Sequence, residues 1–578
     1  MTRGTSGATR LALALAAAWA LLAACESPVI PKPGKPDVEH ALTREALSDR
    51  MLVDQLRHDW RELKRADLAP ERRQAVIDRY NSRLETLMAR LRYDVHREGS
   101  TGATPLQEIV DFSHSGLSLP SLRMVYEDIV PAREVEFEYL KEHYAAPGLG
   151  VPLVGVVPAD VARELQDKDA ALASAHTQGT VVTLTAVLDF PDSPRNARPV
   201  LRFIPRLEQE TIDVGRLCYQ LAADLSAPME IYWRLTYEDK NRFLGLLRPQ
   251  KMRESIGLTS LQPYNPNKIP VVLTHGLLSD ARTFGQLVNR LYVDPDIRNN
   301  FQFWYFNYPT GPAWVYNAAA YRSALAAVRE KVDPKHRNRN WDNMVVVGHS
   351  MGGLITHFSQ CEEPWNMLVN AEVVDPARLA ELDKSHIDKP FEDPAMEQFR
   401  QLYFFKPVKA GMVVYFATPH RGAPMADFGI VRLLTGLIEL PFAIVNETIN
   451  MVTLNPDLFL LNPSEMKRWF TSVDQLSPEG YSIRGLQGLK TRDVPTFSVI
   501  GNRGRCGLLA RSSDGVVPYW SSHINWGEEE FIVPESHSVQ KHKDTAEYMK
   551  IILHEYLQEH PAIRYTRGSI VNINQESE

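Results

Sequence analysis

The run Asn343-Met344-Val345-Val346-Val347-Gly348-His349-Ser350-Met351-Gly352 constrains the fold of this chain more than any other stretch of its sequence. Three consecutive β-branched valines, apolar on both sides of the pleat, predict a strand covered on both faces. The glycines let the chain turn sharply, and Gly353-Leu354-Ile355-Thr356-His357-Phe358 then reads as the start of a helix. Strand, tight turn and helix in that order present the Ser350 hydroxyl at an exposed corner, and Gly348 to Gly352 fits the Gly-x-Ser-x-Gly pattern of a nucleophile elbow.

An elbow of this kind sits on a parallel sheet with helices on both faces, and the surrounding sequence supplies one. Continuous apolar runs occur at Ile269 to Thr274, Phe301 to Phe306, Asn343 to Val347, Met412 to Ala417, Val494 to Ile500 and Phe531 to Val533, with a helical pattern from Tyr316 to Val332. The expected class is α/β, a doubly wound and mostly parallel sheet of six strands spanning residues 257–560. Two lid-like insertions, 360–409 and 423–493, interrupt it, and connections of that length in a compact domain are binding loops or covers. In the second, Phe428 to Val445 carries only Arg432 and Glu439 as charges. It reads as a cover over an apolar groove, with a core helix pair as the other reading. Ahead of the sheet, residues 41–150 read as helical, with Leu and Val at three- and four-residue spacing. Residues 151–256 read as a small β-rich module, expected to pack against the catalytic domain, and residues 561–578 form a C-terminal tail.

A serine nucleophile needs a base, an acid that orients the base, and donors for an oxyanion. Asp514 stands before Gly515 in a turn after the Val494 to Ile500 strand, and His537 follows Phe531 to Val533 and precedes a helix over Thr545 to Leu557. His537 is expected to take the serine proton while Asp514 fixes its tautomer. His542 and His523 are the alternative bases, and Asp474 the alternative acid. The oxyanion donors are expected to be the backbone amides of Met351 and of Leu277, which follows His275-Gly276 at the end of the first strand. His275 itself reads as a structural turn residue.

The N-terminus speaks to compartment. Residues 1–24 carry Arg3 and Arg10, no acid, and then the apolar run Leu11 to Ala24, the order of an export signal. That run is shorter than the roughly 20 apolar residues a membrane span needs. It ends in Leu22-Ala23-Ala24-Cys25, which resembles the bacterial lipobox; the resemblance implies that Cys25 becomes the first mature residue and carries acyl chains such as palmitate, anchoring the protein to a membrane. Residues 25–40 are proline-rich and read as a tether, and Glu26 after the cysteine implies the outer membrane of a bacterial envelope. The net charge of -7, from 64 Lys and Arg against 71 Asp and Glu, offers no basic surface for nucleic acid. Four cysteines without metal-ligand spacing point to no metal, and no cofactor is expected.

With these residues assembled, the sequence resembles the α/β-hydrolase superfamily, and more narrowly its lipase-like serine esterase branch, related to bacterial lipases and the GPI inositol-deacylase group. The motifs that carry it are His275-Gly276, Gly348 to Gly352, Ala417-Thr418-Pro419-His420-Arg421-Gly422, Ser513-Asp514-Gly515 and Ser536-His537-Ser538. It covers roughly half of the chain, residues 257–560. The expected function is hydrolysis of a carboxylic ester, preferably a lipid or other acyl ester, through an acyl-enzyme on Ser350. Acyl transfer to an acceptor other than water uses the same residues. A lipid-anchored envelope scaffold or binding protein is the alternative from another class, and a scaffold has no reason to keep serine, aspartate and histidine together.

Overall fold

The computed structural model describes residues 49–98, 109–113, 128–158, 179–191, 198–237, 256–262, 264–381, 394–424, 458–460, 476–504 and 508–560. The signal run, Cys25, the tether, the apolar stretch Phe428 to Val445, Asp474 and the C-terminal tail lie outside the described residues. Among the described residues no helix is long and apolar enough to cross a membrane.

The described residues open with two helices, α1 (Asp49–Leu63) and α2 (Pro70–Glu98). Leu52, Val53, Leu56, Trp60 and Leu63 give α1 one buried stripe at three- and four-residue spacing. Asp59, buried on that helix, is matched by Arg79 at 2.7 Å and by Arg83, both from α2, so the carboxylate is paired rather than stranded.

A first sheet follows. Its strands are β1 (Asp111–Ser113), β2 (Asp128–Pro131), β4 (Val151–Pro158), β5 (Gly179–Asp189) and β6 (Val200–Pro205), in the order β1-β6-β5-β4-β2. Two short ribbons accompany it: β3 (Ala145–Ala146) pairs with β9 (Ala223–Asp224), and β7 (Thr211–Val214) with β8 (Leu217–Gln220). The expectation of helix over 41–150 is therefore corrected: its second part supplies β1, β2 and β3. Strands of two to four residues are too short to show a period of two in sequence. The β-rich module also contains a helix, α3 (Ala227–Tyr237). Alternate residues of β4 face opposite ways: Val151 and Leu153 join the core with α1 and α2, while Val154 and Val156 join the core of the second sheet.

That second sheet has seven strands: β10 (Gly257–Ser260), β11 (Ile269–Thr274), β12 (Phe301–Asn307), β13 (Val345–His349), β14 (Met412–Phe416), β15 (Thr496–Gly501) and β16 (Glu529–Val533). Their order is β10-β12-β11-β13-β14-β15-β16, and all pairs are parallel except β10 with β12. The six long apolar runs coincide with β11 to β16. The seventh strand, β10, was not expected, because Gly-Leu-Thr-Ser at an antiparallel edge has no apolar run to reveal it. The chain leaves β11 toward β12 and returns to β13 on β11's other side. The crevice at the carboxyl ends of β11 and β13 is thus a topological switch point, where open α/β sheets bind ligands.

Both faces of this sheet are covered. Val272, Trp304, Val346 and Tyr415 pack with Trp314, Tyr321 and Leu325 of α4 (Trp314–Val332) and with Leu354 and Phe358 of α5 (Met351–Ser359). On the other face Val271, Tyr305, Val347 and Val414 pack with Met549, Ile552 and Tyr556 of α6 (Lys543–Glu559) and with Tyr232 and Trp233 of α3. The Trp233 and Tyr305 rings meet edge-on at 5.0 Å. Each such fully buried side chain stabilises by about 1.5–3 kcal/mol relative to exposure, and the β-rich module shares the second sheet's own core.

Candidate active site

β13 delivers the chain to Ser350 with every residue from Val345 to His349 buried. Ser350 then takes φ 55° and ψ −123°, a left-handed conformation that costs a non-glycine residue about 1–3 kcal/mol. Two backbone hydrogen bonds hold it there: the Ser350 amide donates to the Phe416 carbonyl at 2.9 Å, and the Gly353 amide donates to the Ser350 carbonyl at 2.9 Å. Helix α5 approaches so closely that a Cβ on Gly352 would lie 2.2 Å from the Thr274 carbonyl oxygen of β11. Only glycine fits there. The serine is less open than the expected corner, at 8% relative exposure.

Three sequence-distant side chains converge. His537 Nε2 stands 2.8 Å from Ser350 Oγ, and His537 Nδ1 stands 2.8 Å from Asp514 Oδ2. The carboxylate is buried, and its other oxygen accepts the Val516 and Val517 amides, each at 2.7 Å. An ionised carboxylate offers acceptors only, so Nδ1 carries the hydrogen and Nε2 presents its lone pair to the serine hydroxyl. A carboxylate, an imidazole and a hydroxyl stand in series.

The turn after β11 lies against Ser350. A Cβ on Gly276 would fall 2.9 Å from Ser350 Cβ, so the chain passes the serine with no room for a side chain. The turn is braced from the β12 side: the Tyr308 ring stacks on His275 at 4.3 Å and its hydroxyl donates to the His275 carbonyl, while the Leu278 amide donates to Thr310 Oγ1 at 3.2 Å. His275 is buried and serves this turn. The Leu277 and Met351 amides engage no acceptor among the described residues, and they flank Ser350 on the turn and at the helix start.

The alternative bases have other partners. His523 Nδ1 lies 2.6 Å from Glu530 Oε1, and His542 caps α6 by accepting the Asp544 amide at 3.3 Å. Thr418 to Gly422, to which the sequence gives no chemical role beyond shaping the strand end, forms the turn after β14. Arg421 donates from Nη1 to the carbonyls of Trp520 at 2.8 Å and His523 at 2.5 Å, and Ser521 Oγ donates to the Gly422 carbonyl. The motif thus clamps the segment that follows Asp514. His420 and His357 face each other through their Nδ1 atoms at 3.1 Å, and burial holds both below the usual histidine range, His357 at about 4. One more residue escaped the sequence reading: His349, whose ring lies beside His537 with centroids 4.9 Å apart.

No protein-family model matches this chain, and no curated protein matches its sequence. Among solved structures, the mature lipase of Bacillus licheniformis is 14% identical, with 50% of this chain and 93% of that chain covered and a TM-score of 0.28. A lipase-esterase related protein from Clostridium acetobutylicum is 14% identical over 51% of this chain and 97% of that one, at a TM-score of 0.23. A monoacylglycerol lipase from Paleococcus ferrophilus is 14% identical over 50% and 94%, at 0.25. Likenesses of this size fix neither chemistry nor substrate, which rest on the residues themselves.

Proposed function

We propose that this protein is a serine hydrolase of the α/β-hydrolase kind that cleaves carboxylic esters, lipid or other acyl esters by preference. The observation that carries the reading is the series Asp514, His537, Ser350, joined by two contacts of 2.8 Å at the switch point of a parallel sheet. As the Ser350 oxygen attacks the ester carbonyl, His537 Nε2 takes its proton, and the negative oxygen of the tetrahedral intermediate faces the Leu277 and Met351 amides. His537 then returns the proton to the departing alcohol, leaving an acyl-Ser350 ester. Water, deprotonated by the same nitrogen, attacks that ester and releases the acid. Asp514 stays ionised throughout and stabilises the imidazolium.

The test is a panel of esters of increasing acyl length with product analysis, on wild type and Ser350→Ala. Turnover to free acid, lost in the variant, is expected. Activity that survives in Ser350→Ala removes the reading, and an acyl product on an acceptor other than water moves it to acyl transfer. The same proposal includes attachment at the outer membrane through acylated Cys25, supported by the sequence run that ends there. Cys25→Ser is then expected to release the protein from membranes on alkaline extraction, and retention contradicts acyl anchoring.

A further inference from the structure

His349 fills the variable position of the elbow, and the reaction above gives it no task. Its Nε2 stands 2.8 Å from the main-chain carbonyl oxygen of His537. A carbonyl only accepts, so Nε2 carries the ring's hydrogen and Nδ1 is left with the lone pair. That Nδ1 is buried without a partner among the described residues, on the side where Gly276 passes: a Cβ there would lie 3.2 Å from it. Burial and the neighbouring His537 ring hold His349 at about 3, well below the usual histidine range, so it is neutral near pH 7. A buried, neutral imidazole at this place makes one directed bond, and that bond goes to the backbone of the base.

The sheet order shows why such a bond matters. Ser350 is carried by β13 and His537 by the connection after β16, with β14 and β15 between them. Without a direct link, the gap between nucleophile and base is set by three successive strand pairings, each free to shift slightly. The His349 N–H spans them in one step, from the residue next to the nucleophile to the main chain of the base. Proton transfer in series requires heavy atoms within about 2.6–3.2 Å, so small displacements of the His537 backbone fall directly on the rate.

We propose that His349 is a positioning residue whose hydrogen bond to the His537 carbonyl sets the distance between His537 and Ser350; the inference rests on the reading of those residues as a hydrolytic series. Two substitutions separate donor from bulk. His349→Phe keeps a planar ring and removes the donor, whereas His349→Gln keeps an N–H at similar reach. With a short soluble ester, His349→Phe is expected to lower kcat about tenfold or more with KM within about twofold, and His349→Gln to regain most of the loss. The rate of fluorophosphonate labelling of Ser350 should fall and recover by the same factors.

Thermal midpoints are read on each variant. If His349→Phe does not fold, His349→Asn takes its place, since its amide is too short to reach the carbonyl, and it too should be slow where His349→Gln is fast. Equal slowing of the donor-free and donor-keeping variants assigns the loss to packing and overturns the inference, as does a donor-free variant at the wild-type rate. A wild type that is not labelled overturns the hydrolytic reading and the inference with it. A labelled wild type with an indifferent His349 overturns the inference alone.

Discussion

In the proposed reaction Asp514 must both hold its own place and orient His537, and the two tasks fall to different oxygens. Oδ1 is occupied by the Val516 and Val517 amides, which leaves Oδ2 for His537. Asp514→Asn preserves the Oδ1 bonds but turns an NH2 group toward Nδ1, which forces the hydrogen onto Nε2 and removes the base. The expected outcome is a kcat lower by about 10²–10⁴ with an unchanged thermal midpoint, measured on one purified variant. A variant near wild type would shift the acid elsewhere. Ser350, Asp514 and His537 were legible in the sequence because each follows an apolar strand, Ser350 lies between Gly348 and Gly352, and Asp514 precedes Gly515. His349 was not, because its value lies in a carbonyl 188 residues away along the chain.

Elements carry the next constraint, the close seating of α5 against β11. Gly352→Ala places a methyl 2.2 Å from the Thr274 carbonyl oxygen, a backbone atom that cannot swing aside. The helix must lift, taking the Ser350 turn with it. A loss of about 2–3 kcal/mol in denaturant unfolding is expected, together with lost activity, and a fully active, equally stable variant would show that the helix seats more loosely. At this scale the sequence reveals what is long and covered on both faces: β11 to β16 appear as unbroken apolar runs. It hides β1, β2 and β10, which are short, lie at edges or outer positions and draw their stability from neighbours distant in the chain. The turn from Thr418 to Gly422 was visible as a motif, yet its work, holding the Trp520 and His523 carbonyls, depends on contacts about a hundred residues away.

At the scale of the whole molecule, the two sheets are joined by a common core and a polar seam. The Glu142 carboxylate receives Arg290 Nε and Nη2, each at 2.7 Å, and these bonds hold it at about 2, below the usual carboxylate range. Because the folded value is depressed, its stabilisation is fully present above about pH 4.5 and disappears as pH falls through about 2. Glu142→Gln is therefore expected to melt below wild type at pH 7, with the difference closing between pH 5 and pH 2; a gap independent of pH would mean that the seam does not depend on this charge. The Glu142 side chain is 37% exposed, so solvent keeps the effect modest. The chain thus binds its helical and β-rich segments into the body that carries Ser350, and the most direct measurement uses all of it: reaction of the full protein with a fluorophosphonate, digestion, and location of the adduct by mass spectrometry. The expected result is a single adduct on Ser350, absent from Ser350→Ala and formed at least about a thousandfold more slowly in His537→Ala. An adduct on another serine, or a protein that turns over esters yet never reacts at Ser350, would contradict the assignment.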